Sequence, residues 1–209
     1  RRLGALPGLV GVVECRVPFG VVGVIAPWNY PLTLAISDAI PAMMAGNCVV
    51  VKPDVQTTLL AMWIADLLQR AGLPPGVFTV VAGEGSVVGP LVIDRSDYVM
   101  FTGSTAVGRG VAARCGELLI GCSMELGGKN AMIVRGDADI AAAAALACRA
   151  SFSNSGQLCI SMERIYVDQS IVDEFLDAFA RRTQALRMSA QIGWGADVGS
   201  LISQRQRDR

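Results

Sequence analysis

CVVVKPDVQTTLLAMWIADLLQRAGLPPGVFTVV, residues 48–81, decides the fold. Cys48 to Val51 and Val77 to Val81 are all-apolar or nearly so, as strands buried on both faces of a parallel sheet are. Between them Leu60, Trp63, Ile64, Leu67, Leu68 and Ala71 recur at helical spacing. Thr57 or Thr58 can cap that helix, and Gly72 followed by Pro74 ends it. Working outward, Val21 to Ala26 and Tyr98 to Phe101 add two strands, and Ser86 to Ile93 and Thr105 to Cys115 add two shorter helices. This alternation predicts an α/β fold with a doubly wound parallel sheet.

After Gly127-Gly128 the rhythm changes. Ala131 to Val134 and Ile165 to Val167 read as strands, and Ile140 to Ala150 as an alanine-rich buried helix, with a loop at Ser153 to Gln157. From Ser170 a helix places Val172, Phe175, Leu176 and Phe179 on one face. Its acids, Asp173 and Glu174, come early and its bases, Arg181 and Arg182, late, which suits the helix dipole. The expectation is a partial first domain over residues 1–127 and part of a second α/β domain over 128–209.

Composition narrows the chemistry. Of 209 residues 52% are apolar and 17% charged, and the formal net charge is zero, which argues against disorder and nucleic-acid binding. The longest apolar run, Ile140 to Cys148, is about half the ~18 residues a membrane span needs. With no histidine, neither a Ser-His-Asp nor a Cys-His pair can lie wholly within this chain, and no metal is expected. The six cysteines lack C-x-x-C spacing and suggest a reducing, cytoplasmic setting. Arg1-Arg2 before LGALPGLVGVV has the outline of a leader, but Pro7 and glycines interrupt it and no A-x-A site follows. A fragment of a longer cytoplasmic protein is the expectation.

Several stretches carry candidate chemistry. GEGSVVG, residues 83–89, follows a strand and opens a helix, but its spacing is one residue too long for the Rossmann fingerprint, so a plain turn stays open. In FTGSTAVG, residues 101–108, a strand ends at Gly103 and Ser104-Thr105 caps a helix whose free N–H groups suit a phosphate. Asn29 in APWNYPL, Glu125 in MELGGKN and Cys159 in NSGQLCISMER sit in or beside turn-forming stretches. A cysteine there is a candidate nucleophile, Glu125 a candidate base, and Asn29 an amide donor for an oxyanion. Cys48 and Cys148 read as core residues. Taken one at a time, each residue is also explained by structure alone.

APWNYPL, VVKPD, FTGSTAVG, MELGGKN and NSGQLC occur in the order and at spacings like those of the NAD(P)-dependent aldehyde dehydrogenases, a resemblance covering about residues 20–203. It implies that Cys159 attacks an aldehyde to form a thiohemiacetal and then a thioester, that Asn29 and the Cys159 N–H bind the oxyanion, and that Glu125 activates the hydrolytic water. It also implies cofactor contacts at Trp28, Asn29, Lys52, Pro53, Asp54, Val55, Gly103, Ser104 and Leu126. Lys52 would meet the adenosine ribose, and Leu126 the nicotinamide amide through its backbone. NAD-preferring relatives carry a glutamate where Val55 stands, which implies NADP preferred over NAD, with Asp54 expected to point away. A small aldehyde is the implied partner, and a homodimer or homotetramer the implied assembly.

Within the family, the block from PWNYPLTLAISD to CISMERIYV is similar to a mycobacterial-type succinate-semialdehyde dehydrogenase subgroup. Better-studied enzymes of that specificity hold the distal carboxylate with arginines at positions that resemble Ser37 and Ser153 here. Serines cannot form that bidentate clamp. A cofactor-independent thiol esterase, a CoA-acylating relative and an inactive structural fragment are the alternatives, although the CoA-acylating branch typically lacks the glutamate present as Glu125.

Overall fold

The computed structural model describes residues 2–3 and 11–208, so most of the leader-like stretch lies outside the described residues. A short antiparallel pair, β1 (Arg2–Leu3) and β2 (Gly11–Val12), precedes the main elements. The chain divides into two compact units, residues 1–102 with 106–125, and residues 103–105 with 126–209.

The first unit is a five-stranded sheet of β3 (Val21–Ile25), β4 (Cys48–Lys52), β5 (Phe78–Val80), β6 (Tyr98–Thr102) and β7 (Gly121–Glu125). All neighbours are parallel and the order is β5-β4-β3-β6-β7. From β3 the chain winds outward through β4 to β5, then returns to the other side of β3 for β6 and β7. The order therefore reverses between β3 and β6, where Ile25 pairs with Phe101. That reversal opens a crevice beyond the carboxyl ends of the strands, the usual ligand position in such sheets.

Its connections are α1 (Pro31–Ile36), α2 (Ala39–Met44), α3 (Thr58–Arg70), α4 (Gly85–Ile93) and α5 (Thr105–Leu118). Val22, Val24, Val49, Val51, Ile64 and Phe78 form the core, each contributing roughly 1.5–3 kcal/mol by leaving water. The apolar face read for α3 is narrower than its sequence implies: Ala61 and Ile64 are buried, whereas Trp63 and Leu67 stay about half exposed.

Two further expectations are corrected. Neither threonine caps α3 with its side chain, because the Thr57 and Thr58 hydroxyls turn back to donate to the Asp54 carbonyl. The cap belongs instead to Asp54, whose Oδ1 accepts from the Gln56 N–H and closes a 3-10 turn over Val55–Thr57. Cys48 is exposed rather than core, since it occupies the first position of β4, at the end of the sheet opposite Val21.

In the second unit β8 (Asn130–Val134) and β9 (Met162–Val167) form a parallel pair, with α6 (Ile140–Phe152) and α7 (Val172–Gln184) packed against it. Asp139 caps α6 by accepting from the Ala142 N–H. Phe175, 1% exposed, centres a core with Val134, Ala144 and Ala147, and stacks on Phe179 with ring centroids 5.9 Å apart. A short helix, α8 (Gln204–Arg207), follows. Among the described residues no helix is long and apolar enough to cross a membrane.

Candidate active site

In the first unit a cavity of about 530 Å³ opens at the sheet reversal, between α4 and α5. Ile25 and Phe101 form its floor, and Ile93, Val107 and Val111 its apolar sides. Gly85, Gly89 and Gly110 also line it, and a Cβ on Gly89 or Gly110 would meet no atom within 4 Å, so both helices leave room for a flat ring. Pro90 lacks the N–H that the Ser86 carbonyl would receive in an unbroken helix, and both residues line the cavity. Size and apolar character suit a nucleoside base. GEGSVVG, whose spacing left a plain turn open, thus supplies Gly85, Ser86 and Gly89 to a built cavity.

Lys52, at the carboxyl end of β4, is 5% exposed, and its Nζ lies 3.8 Å from the point where a Gly85 Cβ would stand. Burial lowers its pKa, while the charges of Asp54 and Glu84 act in the opposite sense. The Asp54 carboxylate caps the 3-10 turn by accepting from the Gln56 N–H, and its charge still acts on Lys52. Pro53 is buried and Val55 is 44% exposed.

Trp28 and Asn29 lie half-buried between β3 and α1, and the Asn29 Oδ1 is shielded from solvent. Glu125 closes β7, opposite Thr102 of β6, and is exposed. MELGGKN begins as a strand, and Glu125 stands beside the irregular stretch of residues 126–129. Asp38, between α1 and α2, has its carboxyl pKa raised by burial first and by the charge of Glu125 second.

The second unit contains the cysteine. Cys159 is exposed and follows three successive residues with left-handed backbones: Asn154 (φ 51°), Ser155 (φ 58°) and Gly156 (φ 74°). Non-glycine residues in that region store strain that the surroundings must hold. Several bonds do so. Ser155 Oγ donates to the Gly199 carbonyl at 2.9 Å, and the Ile202 N–H donates to Gln157 Oε1 at 3.0 Å. Ser161, 4% exposed, donates to the Ser151 carbonyl at the end of α6 at 3.2 Å. Asn130 Nδ2 donates to the Cys159 carbonyl at 2.6 Å and to the Ser161 carbonyl at 3.1 Å.

Gly128 makes the last pair possible, because a Cβ there would stand 2.6 Å from Asn130 Oδ1. Sequence reasoning missed that Asn130 and Gly128 hold the Cys159 segment; the visible signal was an asparagine two residues after a glycine pair. Gly103, Ser104 and Leu126 also belong to this unit, Ser104 exposed and Gly103 and Leu126 half-buried. Among the described residues no cluster of three or more histidine, cysteine, aspartate or glutamate side chains could hold a metal.

The fold and these two sets of residues define a doubly wound α/β protein with a nucleoside-sized cavity at its sheet reversal and an exposed cysteine on a strained turn. The chain belongs to the aldehyde dehydrogenase family, whose model matches residues 9–209. It is 56% identical over 203 residues to a Mycolicibacterium smegmatis protein named "Putative succinate-semialdehyde dehydrogenase", with NADP(+) in its name, covering 97% of this chain and 39% of that protein. A Mycobacterium tuberculosis aldehyde dehydrogenase complexed with NAD+ superposes with a TM-score of 0.88 at 40% identity, covering 92% of this chain and 40% of the other. A 3,6-anhydro-L-galactose dehydrogenase in complex with NAP gives 0.87 at 35% identity, covering 91% and 40%. The chain thus spans about two fifths of the length of these relatives.

Proposed function

We propose that the whole protein oxidises an aldehyde to a carboxylic acid through a thioester on Cys159, using NADP in preference to NAD. Cys159 carries this reading: it is exposed on a strained turn whose backbone Asn130 and Ser161 tie down. The Cys159 thiolate adds to the aldehyde carbon, forming the C–S bond and moving the C=O π pair onto oxygen. The Asn29 amide and the Cys159 N–H donate to that oxyanion. A bound nicotinamide ring supplies the acceptor for a hydride. Collapse of the oxyanion expels the hydride and leaves a thioester on Sγ. Glu125 then takes a proton from water, the water oxygen adds to the thioester carbon, the C–S bond breaks and the acid departs. No step requires a histidine.

The first unit would hold the cofactor's adenosine half, with the base between Gly89 and Gly110 and the ribose at Lys52. Trp28, Pro53, Gly103, Ser104 and Leu126 take their contact roles from the family resemblance. NADP preference is supported by Val55, which puts no carboxylate where a 2′-phosphate would sit, and by Lys52, whose ammonium makes a charge-assisted bond to phosphate worth roughly 1.5–3 kcal/mol. A cytoplasmic homodimer or homotetramer is part of the same proposal, supported by six free thiols and by the family resemblance.

Succinic semialdehyde is the more specific substrate reading, supported by the names of the relatives. Ser37 is exposed at the end of α1, and the Ser153 hydroxyl donates to the Arg149 carbonyl at 2.6 Å, so neither supplies a charged clamp. Steady-state kinetics with succinic semialdehyde and butyraldehyde test both levels. NADP reduction dependent on either aldehyde supports the activity, and a hundredfold advantage for the acid-bearing substrate supports the specific reading. Absence of aldehyde-dependent NADP or NAD reduction contradicts the activity.

A further inference from the structure

Lys52 and Glu84 both adjoin Gly85, which lines the first unit's cavity. Lys52 ends β4, and Glu84 stands in the turn between the neighbouring strand, β5, and α4. The Lys52 Nζ is tucked against the next residue of that turn, Gly85, which with Ser86 lines the cavity. Glu84 is exposed and makes no side-chain bond to the N–H groups that open α4, so its carboxylate is not consumed as a cap. Asp54, the other acid near Lys52, is committed to the Gln56 N–H. Val55 offers no carboxylate at all. Asp54 and Glu84 both act on the Lys52 charge, and Glu84 is the one whose carboxylate no helix cap holds.

We propose that Glu84 is a specificity-determining residue that sets how strongly the site distinguishes adenosine bearing a 2′-phosphate from adenosine bearing a free 2′-hydroxyl. The proposal rests on the cofactor reading above. A phosphate at Lys52 gains a cation and meets the carboxylate of Glu84, a like charge within a Debye length. A free hydroxyl instead gains an acceptor. Lys52 and Val55 favour the phosphorylated cofactor, Glu84 holds that preference down, and the two charges act on the same atom of the ligand.

Binding separates these contributions without turnover. Titration calorimetry of the chain with 2′,5′-ADP and with 5′-AMP at low salt gives a ratio of affinities for the wild type, for Glu84→Gln and for Glu84→Lys. Glu84→Gln should tighten 2′,5′-ADP about tenfold relative to 5′-AMP, equivalent to ~1.4 kcal/mol, and Glu84→Lys should tighten it further. Both gains should shrink as salt rises. An unchanged ratio in both variants, with both ligands still binding, would overturn the role of Glu84 and leave the cofactor reading intact. If the wild-type chain bound neither nucleotide, the cofactor reading itself would fall, and this assignment with it.

Discussion

Asn130 holds Cys159 by its backbone: Nδ2 donates to the Cys159 carbonyl at 2.6 Å and to that of Ser161 at 3.1 Å. One side chain at the start of β8 thus ties down both ends of the short segment that presents the thiol. Gly128 is the space into which that side chain folds.

Asn130→Ala removes both bonds. Displacing a reacting group by about 1 Å costs on the order of 10²-fold in rate, so kcat should fall by that order while KM moves little. Stability should fall by about 1–3 kcal/mol, as for a pair of lost hydrogen bonds. Wild-type kcat in the variant would show that the turn holds itself.

Glu125 should matter after the hydride has left. Glu125→Gln should slow thioester hydrolysis by about 10²–10⁴-fold, so stopped-flow traces should show a burst of reduced cofactor followed by a slow steady state. Equal loss in both phases, or in neither, would place the base elsewhere.

Thiol reactivity separates the cysteines. Burial, with Cys122 beside it, pushes the Cys115 thiol up to about 11, so at pH 8 only about one molecule in a thousand carries the reactive thiolate. Iodoacetamide at pH 8 should label exposed Cys48 and Cys159 in minutes and spare Cys115 and buried Cys148. Labelling of Cys115 should rise as pH approaches 11. Peptide mass spectrometry reads all four sites, and early labelling of Cys115 would contradict the packing of α5.

The second unit's core rests on Phe175. Phe175→Ala should cost about 3–5 kcal/mol, whereas Leu176→Ala, at 52% exposure, should stay within about 0.5 kcal/mol. Urea denaturation of the two variants decides, and equal midpoints would mean that the core lies elsewhere.

The β4–α3–β5 unit was legible because apolar runs and helical spacing alternate cleanly there. By contrast β7 was not, because Gly121-Cys-Ser-Met-Glu is a half-exposed outer strand without the apolar run of a buried one. Both α1 and α2 are six residues long and contain Pro31 and Pro41, so neither shows a helical period. Among the proposed catalytic residues, Cys159, Glu125 and Asn29 stood out only through motif resemblance. What holds Cys159 did not: left-handed Asn154 and Ser155, and the reach of Asn130, depend on backbone geometry that residue types do not state. Glu84 was passed over because the glycine spacing around it misses the usual fingerprint.

The acyl group on sulfur is the central claim. The measurement is intact and peptide mass spectrometry of the whole protein, acid-quenched during turnover with aldehyde and NADP, using Glu125→Gln to let the intermediate accumulate. An acyl adduct on the peptide containing Cys159, absent in Cys159→Ser, is the predicted result. An adduct on Cys48 or Cys15, or undiminished turnover by Cys159→Ser, would contradict it.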